Sequence, residues 1–490
     1  MLTNSFSSKK ALIIGSGVGG LSTAIILAKL GFQVHVIEKN HLPGGLMRSY
    51  TRDGIECSVG VHYLGSLGDG QILRRLFDFL GVTSRIPVER MGRDGIIDKY
   101  IFDDFTFDLP EGFDLYEKNL RSAFPGEQRQ ITWIMKSLRH GAEKMHSLDF
   151  LFSTQNGFST LEQSKPLGEI LAELRCSPGL RGVLGVPCCW IGVPLEECPS
   201  FYHNTALATY LFSSWRLKCS GAEMANAFVE RLKSLGGKII QDKEVEKVLI
   251  NSRRVEGIQL KSGKILRAPI VVGAVHPKIV LNMLPEGAVR PSYRKRISQL
   301  EDTCGIFCVH AKVDASSHKE ISYNIFKLDT DKNGNIADMR FHQLRKSERA
   351  GENILSILRS SKPELWRQWE GTRSGHRSSD YVETKEKEAR RLINEAKEIF
   401  GPLQDIELLD VYTPLTIRDW VNSPGGSAYG VLRSSKQLLS AALLNRTSVK
   451  GLFLAGQSVL APGIIGTIIG SLSTVKSIIG SEQFRKTISL

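Results

Sequence analysis

The sequence lacks three features, each of which would indicate a particular class of protein. The first is a block of consecutive like charges, although 64 Lys and Arg exceed 51 Asp and Glu and give a formal net charge of +13. A nucleic-acid-binding tail is therefore not expected, whereas a basic surface favours acidic partners or anionic lipid. We expect a solvated basic surface and retain peripheral membrane contact as the alternative.

The second missing feature is a pattern of paired cysteines. The eight cysteines are scattered, and none forms a CxxC pair with a second pair or with spaced histidines. A zinc site and a secreted disulfide framework are therefore not expected. We predict buried free thiols, no bound metal and a cytoplasmic protein.

The third missing feature is a long uninterrupted apolar segment. The most apolar late stretch, residues 452–479, is broken by Pro462 and four glycines and also carries Gln457 and Lys476. It does not have the pattern of a membrane span. The first ten residues, MLTNSFSSKK, lead directly into an apolar run, so we expect no signal peptide.

What the sequence does contain is a glycine-rich turn between an apolar strand and an apolar helix. Residues 11–14 form a continuous apolar run, typical of a strand buried on both faces of a parallel sheet. The sequence GSGVGG follows at 15–20, then helical spacing to residue 30, a second strand at 34–37 and Glu38. This order of elements predicts a dinucleotide-binding fold.

Each residue of this fingerprint has a chemical role. Gly15 permits the tight turn, Gly17 lets the backbone approach a pyrophosphate, and Gly20 lets the helix pack closely on the strand. The helix N-terminus attracts phosphate. Glu38 can accept hydrogen bonds from ribose hydroxyls and disfavours a 2′-phosphate.

A second glycine pair indicates which dinucleotide is bound. Gly44 and Gly45 follow the second strand, and Arg48 lies close behind, where it can neutralise phosphate or face a flavin. This arrangement resembles the extended fingerprint of FAD-binding flavoproteins with a glutathione-reductase-like Rossmann domain. No second strand–glycine–helix–acid unit occurs in the sequence, so a separate NAD(P)H domain is not expected and the electron partner stays unknown.

A later segment has the pattern of a β-meander. Residues 236–277 alternate apolar and polar residues in short runs, with turns at 251–252 and 262–263. In flavoproteins of this type such an element completes the nucleotide domain. It would bring the backbone of Val245 near the adenine.

The C-terminal segment predicts a strand and a glycine-rich helix. The strand at 452–455 ends on Gly456, and Pro462 and Gly463 introduce a helix whose first turn carries Gly466. The N-terminus of this helix can stabilise negative charge on a reduced flavin.

Two less glycine-rich insertions separate these segments. They lie at 84–214 and 298–413, contain long helical patterns, and predict a discontinuous α+β substrate or cap domain. The FAD-binding domain would then comprise residues 1–83, 215–297 and 414–490. Within the first insertion, residues 131–152 predict either an ordinary cap helix or a membrane-facing one.

The sequence resembles the phytoene desaturase superfamily of flavoproteins, and within it the branch of retinol saturase and carotenoid isomerase. Besides the glycine motifs, the resemblance rests on GIECSVGVHYLG at 54–65, TPLTIRDWVNSPGGSAYG at 413–430 and AGQSVLAPGIIGTIIGSL at 455–472. It is weak over the two insertions. It implies FAD contacts at Gly15, Gly17, Gly20, Glu38, Gly44, Gly45, Arg48, Val245, Gly456, Gly463 and Gly466.

The resemblance also implies a hydrophobic polyene, isoprenoid or lipid-like substrate. The reaction would be saturation, desaturation or cis–trans isomerisation of carbon–carbon double bonds, with the flavin held against the chain in a dry tunnel. No strong catalytic acid or base is demanded. His62 is the best single candidate for a catalytic donor, and Tyr63, Trp190 and His203 are further candidates near the substrate.

Two alternatives use the same nucleotide fold. A flavin amine oxidase would usually carry aromatic residues that cage the flavin near the C-terminal helix, and residues 463–473 contain none. A non-enzymatic carrier of prenylated or lipid cargo would have a degraded glycine fingerprint, whereas the one here is intact.

Overall fold

A computed structural model of the chain describes residues 9–152, 165–403, 405–442 and 444–490. The strands are β1 (Lys10–Ile14), β2 (Gln33–Ile37), β3 (Ser49–Arg52), β4 (Ile55–Ser58), β5 (Leu64–Gly65), β6 (Val88–Arg90), β7 (Asp98–Ile101), β8 (Thr106–Leu109), β9 (Ser214–Leu217), β10 (Lys238–Ile240), β11 (Val245–Asn251), β12 (Arg254–Leu260), β13 (Ile265–Arg267), β14 (Ile270–Gly273), β15 (Gly305–Asp314), β16 (Asn324–Thr330), β17 (Ile336–Lys346), β18 (Glu352–Ser361), β19 (Glu407–Tyr412) and β20 (Leu452–Leu454). The α-helices are α1 (Val18–Lys29), α2 (Ile72–Leu80), α3 (Phe113–Ala123), α4 (Gln128–Ser147), α5 (Asp149–Phe152), α6 (Leu167–Glu173), α7 (Pro178–Cys189), α8 (Ser200–Phe212), α9 (Gly221–Ser234), α10 (Pro277–Asn282), α11 (Pro291–Ser298), α12 (Ser379–Phe400), α13 (Pro414–Val421), α14 (Gly463–Ile479) and α15 (Ser481–Thr487).

The glycine-rich turn follows β1, the central strand of a five-stranded parallel sheet. The strand order in this sheet is β10-β2-β1-β14-β20. Alternate residues of β1 pack on opposite sides of this sheet. Ala11 and Ile13 join the core formed with helices α1, α9 and α14, whereas Leu12 and Ile14 join the core formed with the meander. Burial on both faces explains the continuous apolar run. The parallel sheet confirms the predicted Rossmann-type α/β architecture.

The predicted meander is also confirmed. Strands β11, β12 and β13 form a three-stranded antiparallel sheet, which lies between β10 and β14 in the sequence. The two turns that connect its strands fall where the sequence predicts them. It packs with α10 and α11 on the face of the parallel sheet away from α1. Val245 is the first residue of β11, so the meander begins beside the nucleotide sheet.

A seven-stranded mixed sheet draws on both insertions. Its order is β19-β15-β18-β17-β16-β7-β8, and β7 pairs in parallel with β16 through Asn324 and Asp98. Helix α12 packs on one face with Trp366 and Trp369, and the helices of the first insertion pack on the other. Both insertions therefore share one sheet and one core. The exact domain boundaries remain a prediction.

Helix α4 corresponds to most of the segment for which a membrane-facing helix was the alternative. It buries Ile131, Ile134 and Leu138 in the core of the first insertion and leaves Trp133 at the surface. Among the described helices, none alone is both long and apolar enough to cross a membrane. Only the pair α14 and α15, bent by 120°, meets the length and composition criteria together.

The eight cysteines all lie in the described part of the chain and are free thiols. Five are buried, as predicted, and two are partly buried. Cys304 is the exception to the expectation of buried thiols, because it lies exposed immediately before β15.

Candidate functional site

A cleft of about 280 Å³ opens at the carboxyl ends of the parallel strands. Its wall includes the last residues of β1 and β2, the glycine-rich turn, residues 243–245 and residues 455–458. Ligands of open α/β sheets bind at this edge. The N-termini of α1 and α14 also reach the cleft, so two helix dipoles favour an anionic ligand there.

The fingerprint glycines differ in what surrounds them. A methyl group at Gly20 would lie 2.0 Å from the carbonyl oxygen of Gly15, which itself has φ +96°. A methyl group at Gly17 would meet no protein atom within 4 Å and would instead enter the cleft. Gly20 therefore serves helix packing, and Gly17 leaves space for a ligand.

Gly19 is a packing residue that the motif alone did not reveal. A methyl group there would lie 2.4 Å from the Cα atom of Gly456, at the crossing of α1 with the turn before α14. The doubled glycine at the end of GSGVGG was its only signal. Gly456, predicted as a cofactor contact, lines the cleft from the other side of this crossing.

Glu38 lies at the end of β2 and lines the cleft, with 6% of its surface exposed. One carboxylate oxygen accepts from the backbone N–H and the hydroxyl of Ser16, at 3.1 and 2.6 Å. The other accepts from the backbone N–H and the side-chain amide of Asn40, at 2.9 and 3.0 Å. Each oxygen is thus fixed in position at the cleft. Ser16, inside the fingerprint, was not singled out from the sequence.

The second glycine pair packs against the first turn. The backbone N–H of Gly44 donates to the carbonyl oxygen of Ser16 at 3.1 Å, and Gly44 has φ +120°. A methyl group at Gly45 would lie 3.0 Å from the Cα atom of Gly17. The structure therefore brings together the two glycine motifs, which are separated by about a full strand and helix in sequence.

Arg48 lies behind this turn and outside the cleft wall. Its guanidinium donates to the carbonyl oxygens of Gly45, Leu42 and Trp420 at 3.1, 3.3 and 3.2 Å. Burial lowers the pKa of Arg48, while the Glu38 carboxylate opposes this shift. In this position Arg48 clamps the second glycine turn to the end of α13.

We expect Arg48→Met to destabilise the protein by about 1–3 kcal/mol, because three carbonyl oxygens lose a charged donor. Urea unfolding of the cofactor-free protein measures this change. The matched control is Arg52→Met, which removes a half-exposed arginine paired with Asp410 at 2.9 Å and should cost less than about 1 kcal/mol. An unchanged stability with lost cofactor affinity would instead make Arg48 a direct cofactor contact.

A larger cavity of about 1000 Å³ adjoins the cleft. One wall is aromatic: the ring centroids of Tyr63 and Tyr210 are 4.5 Å apart, those of Trp190 and Tyr210 5.0 Å, and those of Phe326 and Phe341 5.2 Å. Aliphatic residues of α14 and of the loops before it complete much of the remaining wall: Leu438, Leu439, Leu460, Ile464, Ile465 and Ile469. The cavity suits a long apolar ligand that has flat, unsaturated segments.

The cleft and the larger cavity meet at a junction. Eight residues line both: Gly60, Val61, His62, Ile306, Leu358, Tyr429, Gly463 and Ile464. Gly463 begins α14 with φ +76°, and a methyl group there would meet no protein atom within 4 Å. Gly466 lines only the larger cavity, and a methyl group there would lie 2.7 Å from the carbonyl oxygen of Ala461. The junction is where a group held in the cleft could reach a ligand in the cavity.

His62 is the imidazole side chain at this junction. Neither ring nitrogen has a hydrogen-bond partner among the described residues, and both are buried from solvent. Its carbonyl oxygen accepts from the Gln343 side-chain amide at 3.1 Å, which fixes the backbone. Burial, assisted by His310 and Arg345, lowers the pKa of His62 to about 3. The ring is therefore neutral near pH 7 and offers one donor and one acceptor.

The other candidates near the substrate separate into two groups. Tyr63 and Trp190 line the larger cavity, and their hydroxyl and indole N–H have no partner among the described residues. His203 does not line either space, and its Nδ1 lies 3.0 Å from the Asn204 side-chain oxygen. The sequence offered no signal for Ile306 or Leu358, which reach the junction from distant segments, and Tyr429 lies in the segment 413–430 without having been singled out there.

Comparison with known proteins agrees with this geometry. A family model of NAD(P)-binding Rossmann-like domains matches residues 13–80. The all-trans-retinol 13,14-reductase of Danio rerio is 25% identical, with 98% of this chain and 87% of the relative covered. A 4,4′-diapolycopene oxygenase of Methylomonas is 24% identical over 93% and 95% of the two chains. A chloroplastic prolycopene isomerase of an Oncidium hybrid is 23% identical over 97% and 84%.

Two solved structures share the fold. An oxidoreductase from Methanosarcina mazei superposes with a TM-score of 0.69 at 15% identity, covering 95% of this chain and all of the other. Cyclohexylamine oxidase from Brevibacterium oxydans superposes with a TM-score of 0.62 at 17% identity, covering 97% and 99%. The chain is thus similar over nearly its whole length to proteins named for retinol reduction, diapolycopene oxygenation and prolycopene isomerisation, and it shares its fold with these two enzymes.

Proposed function

We propose that the protein is an FAD-dependent oxidoreductase that acts on carbon–carbon double bonds of a hydrophobic polyene, isoprenoid or lipid-like substrate. The observation that carries this proposal is the junction between a nucleotide-type cleft and an aromatic-lined cavity of about 1000 Å³. The names of the relatives, a retinol reductase, a carotenoid oxygenase and a carotenoid isomerase, support it. They leave open whether the reaction is saturation, desaturation or isomerisation.

The residues of the cleft fit FAD. The space beside Gly17 accommodates a diphosphate next to backbone N–H groups, and the fixed Glu38 carboxylate can accept from a ribose hydroxyl. When bound, FAD supplies hydride or electron transfer through its isoalloxazine ring. We infer direct contacts at Gly15, Gly17, Glu38, Gly45, Val245, Gly456 and Gly463, and a supporting role behind the glycine-rich turns for Gly20, Gly44 and Arg48. Gly466 lines the larger cavity and supports the first turn of α14.

The protein's own part in the reaction is orientation and exclusion of water. The aromatic wall holds the unsaturated chain flat, and the N-terminus of α14 favours negative charge at the junction. His62, neutral in this environment, can hold a proton at one nitrogen and accept a hydrogen bond at the other. We infer that His62 positions either the substrate or the edge of the flavin ring.

An apolar substrate of this kind partitions into membranes, and we infer peripheral contact with a lipid surface. Phe150 and Leu439 line the larger cavity and are 46% and 64% exposed. The exposed Lys144 and Arg446 lie on the same wall. Apolar side chains flanked by basic ones suit an anionic bilayer. A cytoplasmic location stays a prediction from the cysteine pattern.

The purified protein tests the proposal. We expect a yellow protein that releases FAD on denaturation. Under anaerobic conditions a desaturase substrate bleaches the oxidised flavin, a saturase substrate restores the colour of the reduced flavin, and an isomerase converts its substrate with reduced flavin and no net electron uptake. A colourless protein that takes up no flavin would favour a carrier. Flavin bleaching by primary amines but by no polyene would establish an amine oxidase.

A further inference from the structure

The larger cavity contains a buried positive charge. Arg433 lines this cavity with only 3% of its surface exposed. Its two terminal nitrogens donate to the carbonyl oxygens of Ala441, at 3.0 Å, and Ser458. Its Nε has no hydrogen-bond partner among the described residues. Two neutral acceptors thus serve a group that carries five N–H donors.

No carboxylate in the described part of the chain forms an ion pair with Arg433. The neighbouring Tyr202 uses its hydroxyl to donate to the carbonyl oxygen of Leu460 at 2.9 Å. Burial lowers the pKa of Arg433, but a guanidinium keeps its proton in proteins. A buried cation without a counter-ion is costly, so its retention in an apolar wall calls for an anionic partner.

The charge balance of the cavity wall points the same way. Among the described residues, Lys144, Arg359, Arg433 and Arg446 line it, and Asp149 is the one acid that does so. Arg359 is already paired with Asp338 and Glu388, at 3.0 and 2.8 Å. Lys144 and Arg446 are exposed to solvent. Arg433 is therefore the buried and uncompensated charge of this wall, and it does not line the nucleotide cleft.

We propose that the substrate is an amphipathic unsaturated acid whose carboxylate binds to Arg433 while its hydrocarbon chain lies along the aromatic wall. This inference rests on the proposed function and names its substrate class. Carbonyl oxygens already engage both terminal nitrogens, which leaves Nε and the remaining N–H groups for a small monoanion. A two-oxygen carboxylate fits these donors better than a diphosphate.

Ligand titration of the wild-type holoenzyme tests the substrate class. The probes are an eighteen-carbon conjugated tetraenoic acid, its methyl ester and the matching alcohol, each followed by its own fluorescence. We expect the acid to bind about tenfold or more tightly than the ester, the factor that a charge-assisted hydrogen bond supplies. The preference should persist at high salt, because a buried pair is little screened. Equal affinities, or a preference lost in salt, would overturn the proposal.

Variants identify the residue responsible. Arg433→Met should abolish the preference for the acid and leave ester affinity unchanged, and Arg433→Lys should keep part of it. The control Arg446→Met removes an exposed charge of the same wall and should keep the preference. An Arg433→Met protein that still prefers the acid refutes the assignment.

Two further readouts separate this proposal from the proposed function. The flavin spectrum and the melting temperature report whether each variant keeps its cofactor and fold. If Arg433→Met does not fold, the comparison of acid with ester in the wild-type protein still tests the proposed substrate class. If the wild-type protein turns over neutral polyenes but shows no preference for the acid, the proposed function is supported and the proposed substrate class is refuted.

Discussion

Gly17→Ala is expected to give a folded protein that has lost its nucleotide. The added methyl group meets no protein atom within 4 Å but enters the cleft, at the point where the diphosphate of the proposed FAD would approach the backbone. Loss of two charge-assisted hydrogen bonds lowers the affinity for FAD by a factor on the order of 100. The cost in folding stability should be about 1 kcal/mol, because Gly17 is the N-cap of α1 and alanine caps a helix poorly.

The matched control is Gly20→Ala in the same turn. Its methyl group would lie 2.0 Å from the carbonyl oxygen of Gly15, so the protein should lose about 3 kcal/mol or fail to fold. Urea unfolding of the two apoproteins and a titration with FAD separate the effects. If Gly17→Ala binds FAD as tightly as the wild type, the diphosphate does not lie against this turn.

Acidification from neutral pH to about 5 is expected to destabilise the protein strongly. Burial lowers the pKa of four histidines from 6.5 to between about 3 and about 4: His62, His203, His310 and His342. At a pH between the folded-state pKa values and 6.5, the unfolded chain therefore binds more protons than the folded protein. Each histidine then removes on the order of 2 kcal/mol at pH 5, and the stability is lost as the pH falls through this window.

A single variant isolates this effect from other titrating groups. The buried Asp98, whose pKa burial raises, opposes the trend, because its neutral form favours the folded state at low pH. His342 packs its ring against Phe400 and neither of its nitrogens has a partner among the described residues. Urea unfolding of wild type and His342→Leu at neutral and acidic pH should show a smaller acid loss in the variant, by on the order of 2 kcal/mol at pH 5. Equal losses would mean that His342 does not stay neutral in the folded protein.

The nucleotide half of the fold was predictable because its signals are local. The apolar run at 11–14, the glycines at 15–20, the helical spacing up to residue 30 and Glu38 follow one another within one βαβ unit, where backbone geometry dictates residue type. The meander and the helix at Gly463 were recognisable for the same reason. Within each of these segments, residues that are close in the sequence are also close in space.

The rest of the site was not predictable because it depends on where distant side chains point. Arg48 follows the second glycine pair closely, yet its guanidinium points to carbonyl oxygens behind the turn. Tyr429 reaches the junction, and Arg433 the larger cavity, from a loop after α13 that has no periodicity to read. Gly466 resembles a cofactor contact in sequence, but a methyl group there would lie 2.7 Å from the carbonyl oxygen of Ala461, a packing constraint that only the structure reveals.

The parallel sheet takes its strands from three widely separated stretches: β1 pairs with β14 through Ala11 and Ile270, and β14 pairs with β20 through Val271 and Leu452. During synthesis β1 and the glycine-rich turn leave the ribosome first, and β20, the last strand of the sheet, leaves near the end. Until about residue 454 has emerged, the edge of β14 opposite β1 has no neighbour, and the crossing of Gly19 with Gly456 cannot form. The connectivity therefore leaves one strand edge of the parallel sheet exposed until synthesis is nearly complete, and such an edge is prone to aggregation.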